Sequence, residues 1–309
     1  MAFPPLVTVL LLTYRHEHFI AAAVRAVLAQ TYRPLEIVIL EDASPDGTWE
    51  AIARELAHHH GRDDVRVIRN PRNLGFRRNT IRGLEESHGE FVVRVAGDDI
   101  AARELVERMV DVWQSDNVSL VTVNASYIDA QSKSLNRIHC HPAAQCDESF
   151  ETLARDGVNT ACFGVAMGFE RALYDEFGWA PEYMQASDII MPFDAYLAKG
   201  VRFIREPLVR YRAHDHNLSF SLAAERATDP VDKLIAEEHI FYLHLAHALF
   251  MDDELARLRA SDPERFGPIA ERIGPLLAIQ KTETARKLVR ARIALREFGV
   301  TRMARPSAS

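Results

Sequence analysis

The segment FVVRVAGDDIAARELVERM, residues 91–109, decides how the chain is read. Phe91 to Val95 are strand formers, Ala96-Gly97 is a small-residue corner, Asp98 and Asp99 are adjacent acids, and a helical pattern then begins. Two carboxylates at the end of an apolar strand admit two explanations. One is helix capping, in which an aspartate accepts backbone N–H bonds from the next helix. The other is that the pair holds a cation.

Working outward, the first half alternates strand and helix patterns. VTVLLLT (7–13) is a near-continuous apolar run, as expected of a strand covered on both faces. Phe19, Ile20, Ala23, Val24, Val27 and Leu28 then recur at helical spacing. Strand patterns follow at 35–40, 65–69, 91–95 and 118–123, with helical patterns at 48–60, 77–87 and 102–114. Such alternation implies a mostly parallel sheet with helices on both faces, and ligands bind such sheets beyond the carboxyl ends of the strands. The residues at three of those ends are Thr13, Tyr14 and Arg15, then Glu41, Asp42, Ala43 and Ser44, then Asp98 and Asp99. No G-x-G-x-x-G follows the first strand and no G-x-x-x-x-G-K-[ST] occurs, so the usual backbone cradles for phosphate are missing. A carboxylate-held cation would neutralise phosphate instead.

Composition narrows the class. The 309 residues are 48% hydrophobic and 26% charged, an ordinary globular balance with ample chain for a core. A net charge of −7 argues against general nucleic-acid binding. Three cysteines, Cys140, Cys146 and Cys162, are too few for a disulfide scaffold and read as free thiols in a reducing compartment. The N-terminus has no basic leader and its apolar run is far shorter than a membrane span, which points to a cytoplasmic protein. The basic stretch KTETARKLVRARIALREFGVTRMAR (281–305) reads as a solvated or oligomer-packing face ahead of an anionic membrane contact.

The later segments are less regular. Residues 125–165 read as a small hairpin or loop region leading to a helix near 148–155, and His139, Cys140, His141 and Cys146 fit no common structural-zinc spacing. VRFIREPLVRYR reads as two short strand-like runs. Beyond about 228 the chain reads helical, with Val231, Leu234, Ile235, Phe241, Leu245 and Leu249 as its apolar stripe and Pro263, Pro268 and Pro275 as punctuation.

Several ordered motifs together resemble the family 2 glycosyltransferases. VTVLLLTYRHEHFIAAAVRAVLAQTYRPLEIVILEDASPDGTWE is similar to the family's opening, with the acidic "DDgSxDgT" motif standing as Glu41 to Thr48. NPRNLGFRRNTIRGLEESHGEF, the AGDD segment and SDIIMPFDAYLAKGVRFIREPLVRYRAHDHNLS continue the likeness, which covers roughly residues 5–220. The resemblance implies a GT-A type Rossmann-like fold with a C-terminal helical extension. The expected division is a nucleotide-sugar-binding half at 1–124, an acceptor and catalytic-base half at 125–225, and the extension at 226–309.

By the same resemblance, Thr13, Tyr14, Arg15, Glu41 and Asp42 match donor-binding positions, with Asp42 expected to accept a hydrogen bond from uracil or a similar base. Arg78 matches a position near the nucleotide phosphates, Asp98 the acid that contacts donor and metal, and His214 a position that can join Mg²⁺ or Mn²⁺. Asp99 supports the metal site. Asp188 matches the general base of an inverting transfer from a nucleotide-sugar donor, a UDP-sugar first, to a glycan or lipid-linked acceptor in cell-surface polysaccharide or glycoconjugate synthesis. Peripheral membrane contact or a homodimer through the C-terminal helices is a further expectation. Ala96 and Ser187 stand where the family often has acids, which motivates the alternative of a non-catalytic nucleotide-sugar or glycan-binding relative.

Overall fold

A computed structural model describes residues 3–58, 64–139, 164–179, 187–214 and 228–298. Within them the chain divides into two compact units, one ending at His214 and one carrying the helices from Pro230 onward.

The first unit is built on strands β1 (Val7–Thr13), β2 (Leu35–Glu41), β3 (Val65–Arg69) and β4 (Phe91–Ala96), with helices α1 (Ile20–Leu28), α2 (Thr48–Leu56) and α3 (Gly75–Glu85) between them. These four strands pair in parallel, with Thr13 opposite Glu41 and Leu12 opposite Ala96, so their carboxyl ends lie along one edge. All of β1 is buried, which is why its sequence is apolar without alternation. Val7, Val9, Leu11, Phe91, Val93 and Val95 join the buried residues of α1 in one cluster. Each such apolar side chain stabilises the fold by about 1.5–3 kcal/mol.

The acidic pair does not begin a helix. A two-residue strand, β5 (Ile100–Ala101), follows it, and α4 (Leu105–Asp116) starts only later, behind Glu104. The helix expected from 102 therefore begins three residues on, and the capping explanation of the pair falls away.

The remaining sheet is β6 (Leu120–Ile128), β7 (Ser134–Ile138), β8 (Ala166–Glu170) and β9 (Val201–Arg212), with α5 (Arg171–Phe177) and α6 (Ser187–Ala198). Among the described residues the order is β3-β2-β1-β4-β8-β6-β9-β5, with β7 paired to β6. β8, which the strand patterns did not reveal, runs antiparallel between β4 and β6. The hairpin expected after residue 125 is present as β6 and β7. The helix expected near 148–155 and all three cysteines lie outside the described residues. The two runs read around Pro207 are one strand, whose register against β6 shifts between Val123 and Ala125 to absorb the proline.

The second unit consists, in the described residues, of α7 (Pro230–Ser261) and α8 (Pro263–Glu297). Asp229 caps α7 by accepting N–H bonds from Val231 and Asp232, and Asp262 caps α8 through Arg265. Pro268 and Pro275 lie inside α8 rather than ending it. The buried face of α7 is Glu238, His247, Ala248, Met251, Leu255 and Leu258, not the stripe read from sequence, and Leu249 is exposed. Arg292 Nε donates to the buried Glu238 carboxylate at 2.6 Å. That pairing is what lets an acid occupy an interior position.

His247 is 1% exposed, and neither ring nitrogen has a hydrogen-bond partner among the described residues. Burial lowers its pKa from 6.5 to about 4, helped by His244; burial and then Lys287 do the same to His244. Between those values the unfolded chain takes up protons that the folded helices refuse, so stability is lost as pH falls below about 6.5. For His247 the full loss is about 3 kcal/mol at 1.4 kcal/mol per unit, and His244, part-exposed, adds less. Thermal denaturation between pH 7 and 5, above the ordinary carboxylate range, is expected to show a falling midpoint that His247→Leu flattens. A wild-type midpoint constant over that interval contradicts this.

Candidate active site

The loops after β1 and β2 lock together. Ser44 Oγ accepts the Arg15 N–H at 3.0 Å, Thr48 Oγ1 accepts the His16 N–H at 2.9 Å, and Glu17 Oε2 accepts the Gly47 N–H at 2.8 Å. Asp46 Oδ1 in turn accepts from Thr48 Oγ1 at 2.6 Å and its N–H at 3.1 Å. Arg15 and Ala43 both hold positive φ, near 58° and 56°, at the two turns. Thr13 is buried, Tyr14 half-buried, and the Arg15 guanidinium lies 5.2 Å from the Tyr14 ring centroid.

Glu41 is fully buried. Its Oε1 accepts the Ser44 N–H, and its Oε2 pairs with Arg69 Nε at 3.0 Å without hydrogen-bond geometry. Asp42, 2% exposed, anchors the start of α3: Oδ1 accepts from Leu74 N–H at 2.8 Å and Asn70 Nδ2 at 2.6 Å, and Oδ2 from Gly75 N–H at 2.9 Å. A carboxylate offers about four acceptor positions, so Oδ2 keeps capacity for one more donor. Arg78 is exposed on α3.

The acidic pair closes the edge. Gly97 cannot carry a side chain there, because a Cβ would come within 2.7–2.9 Å of Thr13 and His16 Nδ1. Asp98 Oδ2 accepts from His214 Nε2 at 3.0 Å and lies 3.7 Å from His16 Nε2. Burial pushes the Asp98 carboxyl up, but the His214 hydrogen bond and the charges of His16 and His214 outweigh it and leave the pKa lowered. Asp99 goes the other way. Burial and the Asp98 charge raise it well above the ordinary carboxylate value, although Asp99 Oδ1 accepts the Arg212 N–H at 2.8 Å.

Sequence reasoning missed three of these residues. His16 stands three places after Thr13 and reaches Asp98. Arg212, 1% exposed, donates from Nε to the Asp98 carbonyl at 2.8 Å and packs its guanidinium 4.7 Å from the Phe19 ring. Arg94 is buried within β4, and it acts electrostatically on Asp188 in the first turn of α6. Its signal was available: a lone arginine inside an otherwise apolar strand. Burial raises the Asp188 pKa, and Arg94 opposes the shift.

Among the described residues no cluster of three or more His, Cys, Asp or Glu donors is assembled for a cation. The donor set present is narrower. One carboxylate oxygen of Asp98 faces the imidazole nitrogens of His214 and His16. Oxygen and imidazole donors with further positions left for diphosphate oxygens and water fit a Mn²⁺-type ion.

The model for Glycosyl transferase family 2 matches residues 8–178. The chain is a family 2 glycosyltransferase. An uncharacterized glycosyltransferase of Nostoc sp. is 25% identical over 223 residues, covering 71% of this chain and 68% of that protein. Other curated glycosyltransferases are matched over 37% of their own length. Of the solved structures, mannosyltransferase PcManGT from Pyrobaculum calidifontis, in complex with GDP-Man and Mn²⁺, aligns with a TM-score of 0.54 at 19% identity over 95% of this chain and 87% of that one. S. aureus TarS with UDP-GlcNAc aligns at 0.58 and 13% identity, over 94% and 92%. Their likeness is one of fold, the GT-A type, and the family 2 membership carries the glycosyltransferase activity.

Proposed function

We propose that this family 2 glycosyltransferase moves a sugar from a nucleoside diphosphate donor, a UDP-sugar first among candidates, to an acceptor hydroxyl with inversion at the anomeric carbon. The observation that carries the reading is the convergence on one sheet edge of Glu41, Asp42 and Asp98, with His214 hydrogen-bonded to Asp98. The free capacity on Asp42 Oδ2 suits a base N–H, with Thr13, Tyr14, Arg15 and Glu41 around the nucleoside and Arg78 for phosphate. Asp98 and His214 would hold Mn²⁺ or Mg²⁺, with Asp99 in support. When bound, the ion stabilises negative charge on the departing diphosphate.

Asp188 takes the proton of the acceptor hydroxyl as its oxygen bonds to the anomeric carbon, and the bond to the diphosphate oxygen breaks with its electron pair leaving on that oxygen. No covalent enzyme intermediate is required. The acceptor we infer is a glycan or lipid-linked molecule of cell-surface polysaccharide or glycoconjugate synthesis, met in the cytoplasm. The basic face of α8 would serve homodimer or peripheral membrane contact. No helix of the described residues is long and apolar enough to cross a membrane.

The test is a thermal-shift screen of UDP-, GDP-, CDP- and dTDP-sugars with Mn²⁺ and with chelator. One donor at a hundredfold excess over its dissociation constant is expected to stabilise the fold by about 2.7 kcal/mol, and chelation or Asp98→Asn to remove most of that. A shift that is equal with and without metal contradicts the assignment of Asp98. Binding of a sugar nucleotide without any turnover would favour the non-catalytic reading instead.

A further inference from the structure

Arg94 stands in the middle of a central strand, opposite Leu10 of β1 and Met167 of β8, and is 4% exposed. A guanidinium cannot lose its proton in a protein, so a charge has been carried into the sheet and needs a partner there. The alternation of β4 decides which face it meets. Phe91, Val93 and Val95 join the core cluster with α1 and α4, so Arg94 points to the opposite face, where its guanidinium carbon lies 4.8 Å from the Phe76 ring centroid of α3. Asp188 is an anion that acts on it electrostatically.

The Asp188 carboxylate is also confined from a second direction. Gly164 leads into β8, and a Cβ at that position would lie 3.0 Å from Asp188 Oδ2, 3.1 Å from its Cβ and 3.3 Å from its Cγ. Glycine leaves the room this carboxylate occupies. Among the described residues, Gly164 lies against Asp188 and Arg94 acts on it electrostatically, with the Phe76 ring against the Arg94 guanidinium. The other buried acid on α6, Asp194, is six residues along the same helix.

We propose that Arg94 is a positioning residue for the reaction, its buried guanidinium and the missing side chain at Gly164 together holding the Asp188 carboxylate in place as the base. This rests on the assignment of Asp188 as general base. Asp188 is half-buried, and burial favours its protonated form, which cannot accept a proton. Arg94 opposes that shift and favours the ionised carboxylate, and the bare Gly164 leaves the space in which it sits.

Two measurements on the full chain test this. The first is the ¹³Cγ NMR titration of Asp188, its resonance assigned by difference with Asp188→Asn, in wild type, Arg94→Met and Arg94→Lys. The midpoint is expected to rise by about one to three units in Arg94→Met and to stay near wild type in Arg94→Lys. The second is the pH profile of kcat/KM with the donor found by thermal shift, whose acid limb should move by the same amount in the same variant. Should Arg94→Met fail to fold, Gly164→Ala, which pushes the carboxylate off its site, is expected to shift both readouts in the same direction. An unmoved midpoint, or a moved midpoint with an unmoved acid limb, overturns the proposal and makes Arg94 a structural counter-charge. Wild-type turnover in Asp188→Asn overturns the base assignment itself, whereas a dead Asp188→Asn beside an unmoved acid limb overturns only the role of Arg94.

Discussion

Asp188→Asn is expected to slow transfer by about 10²–10⁴-fold, the span that a positioned general base supplies. Asn keeps the size and shape of the side chain, so donor binding at the other side of the reaction, proposed here through Asp42 and Asp98, should change little. In kinetic terms kcat falls while the donor KM holds. The wild-type activity should also have an acid limb above the ordinary carboxylate range, because burial raises the Asp188 pKa and Arg94 only partly offsets it. Activity is present above that pKa and lost as pH falls through it. Asn removes an anion that acts on the buried Arg94; Asp188 is only partly shielded from water, so about 1–2 kcal/mol of stability should go with it. A melting curve separates that loss from the catalytic one. Turnover within threefold of wild type would show that another group takes the proton.

The fold's first half was legible because both faces of β1, β2 and β4 are covered, so burial wrote itself into the sequence as continuous apolar runs. β8 was not. Its sequence AMGFE has no β-branched residue, and Gly168 is required by neighbours distant in sequence: a Cβ there would meet the Phe91 ring at 2.5 Å. The α7 stripe misled for a related reason. Its interior includes Glu238 and His247, and an acid becomes an interior residue only once Arg292, on another helix, reaches it. At the candidate site, Asp98 could be proposed from the sequence because the motif keeps its order along the chain. His16, Arg94 and Arg212 have meaning only where separate strand ends meet, and no spacing rule connects residues 98 and 212. The helix-cap reading of an acidic pair ending a strand was removed by β5, which separates the pair from α4.

Arg212→Met is expected to cost about 3–5 kcal/mol, as does removal of one partner from a buried charged network. The side chain has no access to solvent that could replace its contacts. Its NH1 donates to the Asp129 carbonyl at 2.9 Å, the Ala130 carbonyl at 3.1 Å and Ser132 Oγ at 2.9 Å, while Nε holds the Asp98 carbonyl. Methionine fills similar volume against Phe19 but leaves those acceptors without donors, and each buried orphan carries its own desolvation cost. At about 2–4 °C per kcal/mol for a domain of this size, the midpoint of melting should fall by roughly 10 °C. Arg212→Lys should recover only part of this, since a single ammonium cannot span the turn carbonyls and the Asp98 carbonyl with one fixed fork. The functional loss should exceed the stability loss. Arg212 holds the main chain of Asp98 from one side while His214, two residues further along, meets the Asp98 carboxylate from the other, so one substitution loosens both donors proposed for the metal. Arg212→Met is therefore expected to lose the metal-dependent part of donor stabilisation even at temperatures where it is fully folded. A folded Arg212→Met that keeps that stabilisation would show that Asp98 and His214 hold their geometry through β4 and β9 alone.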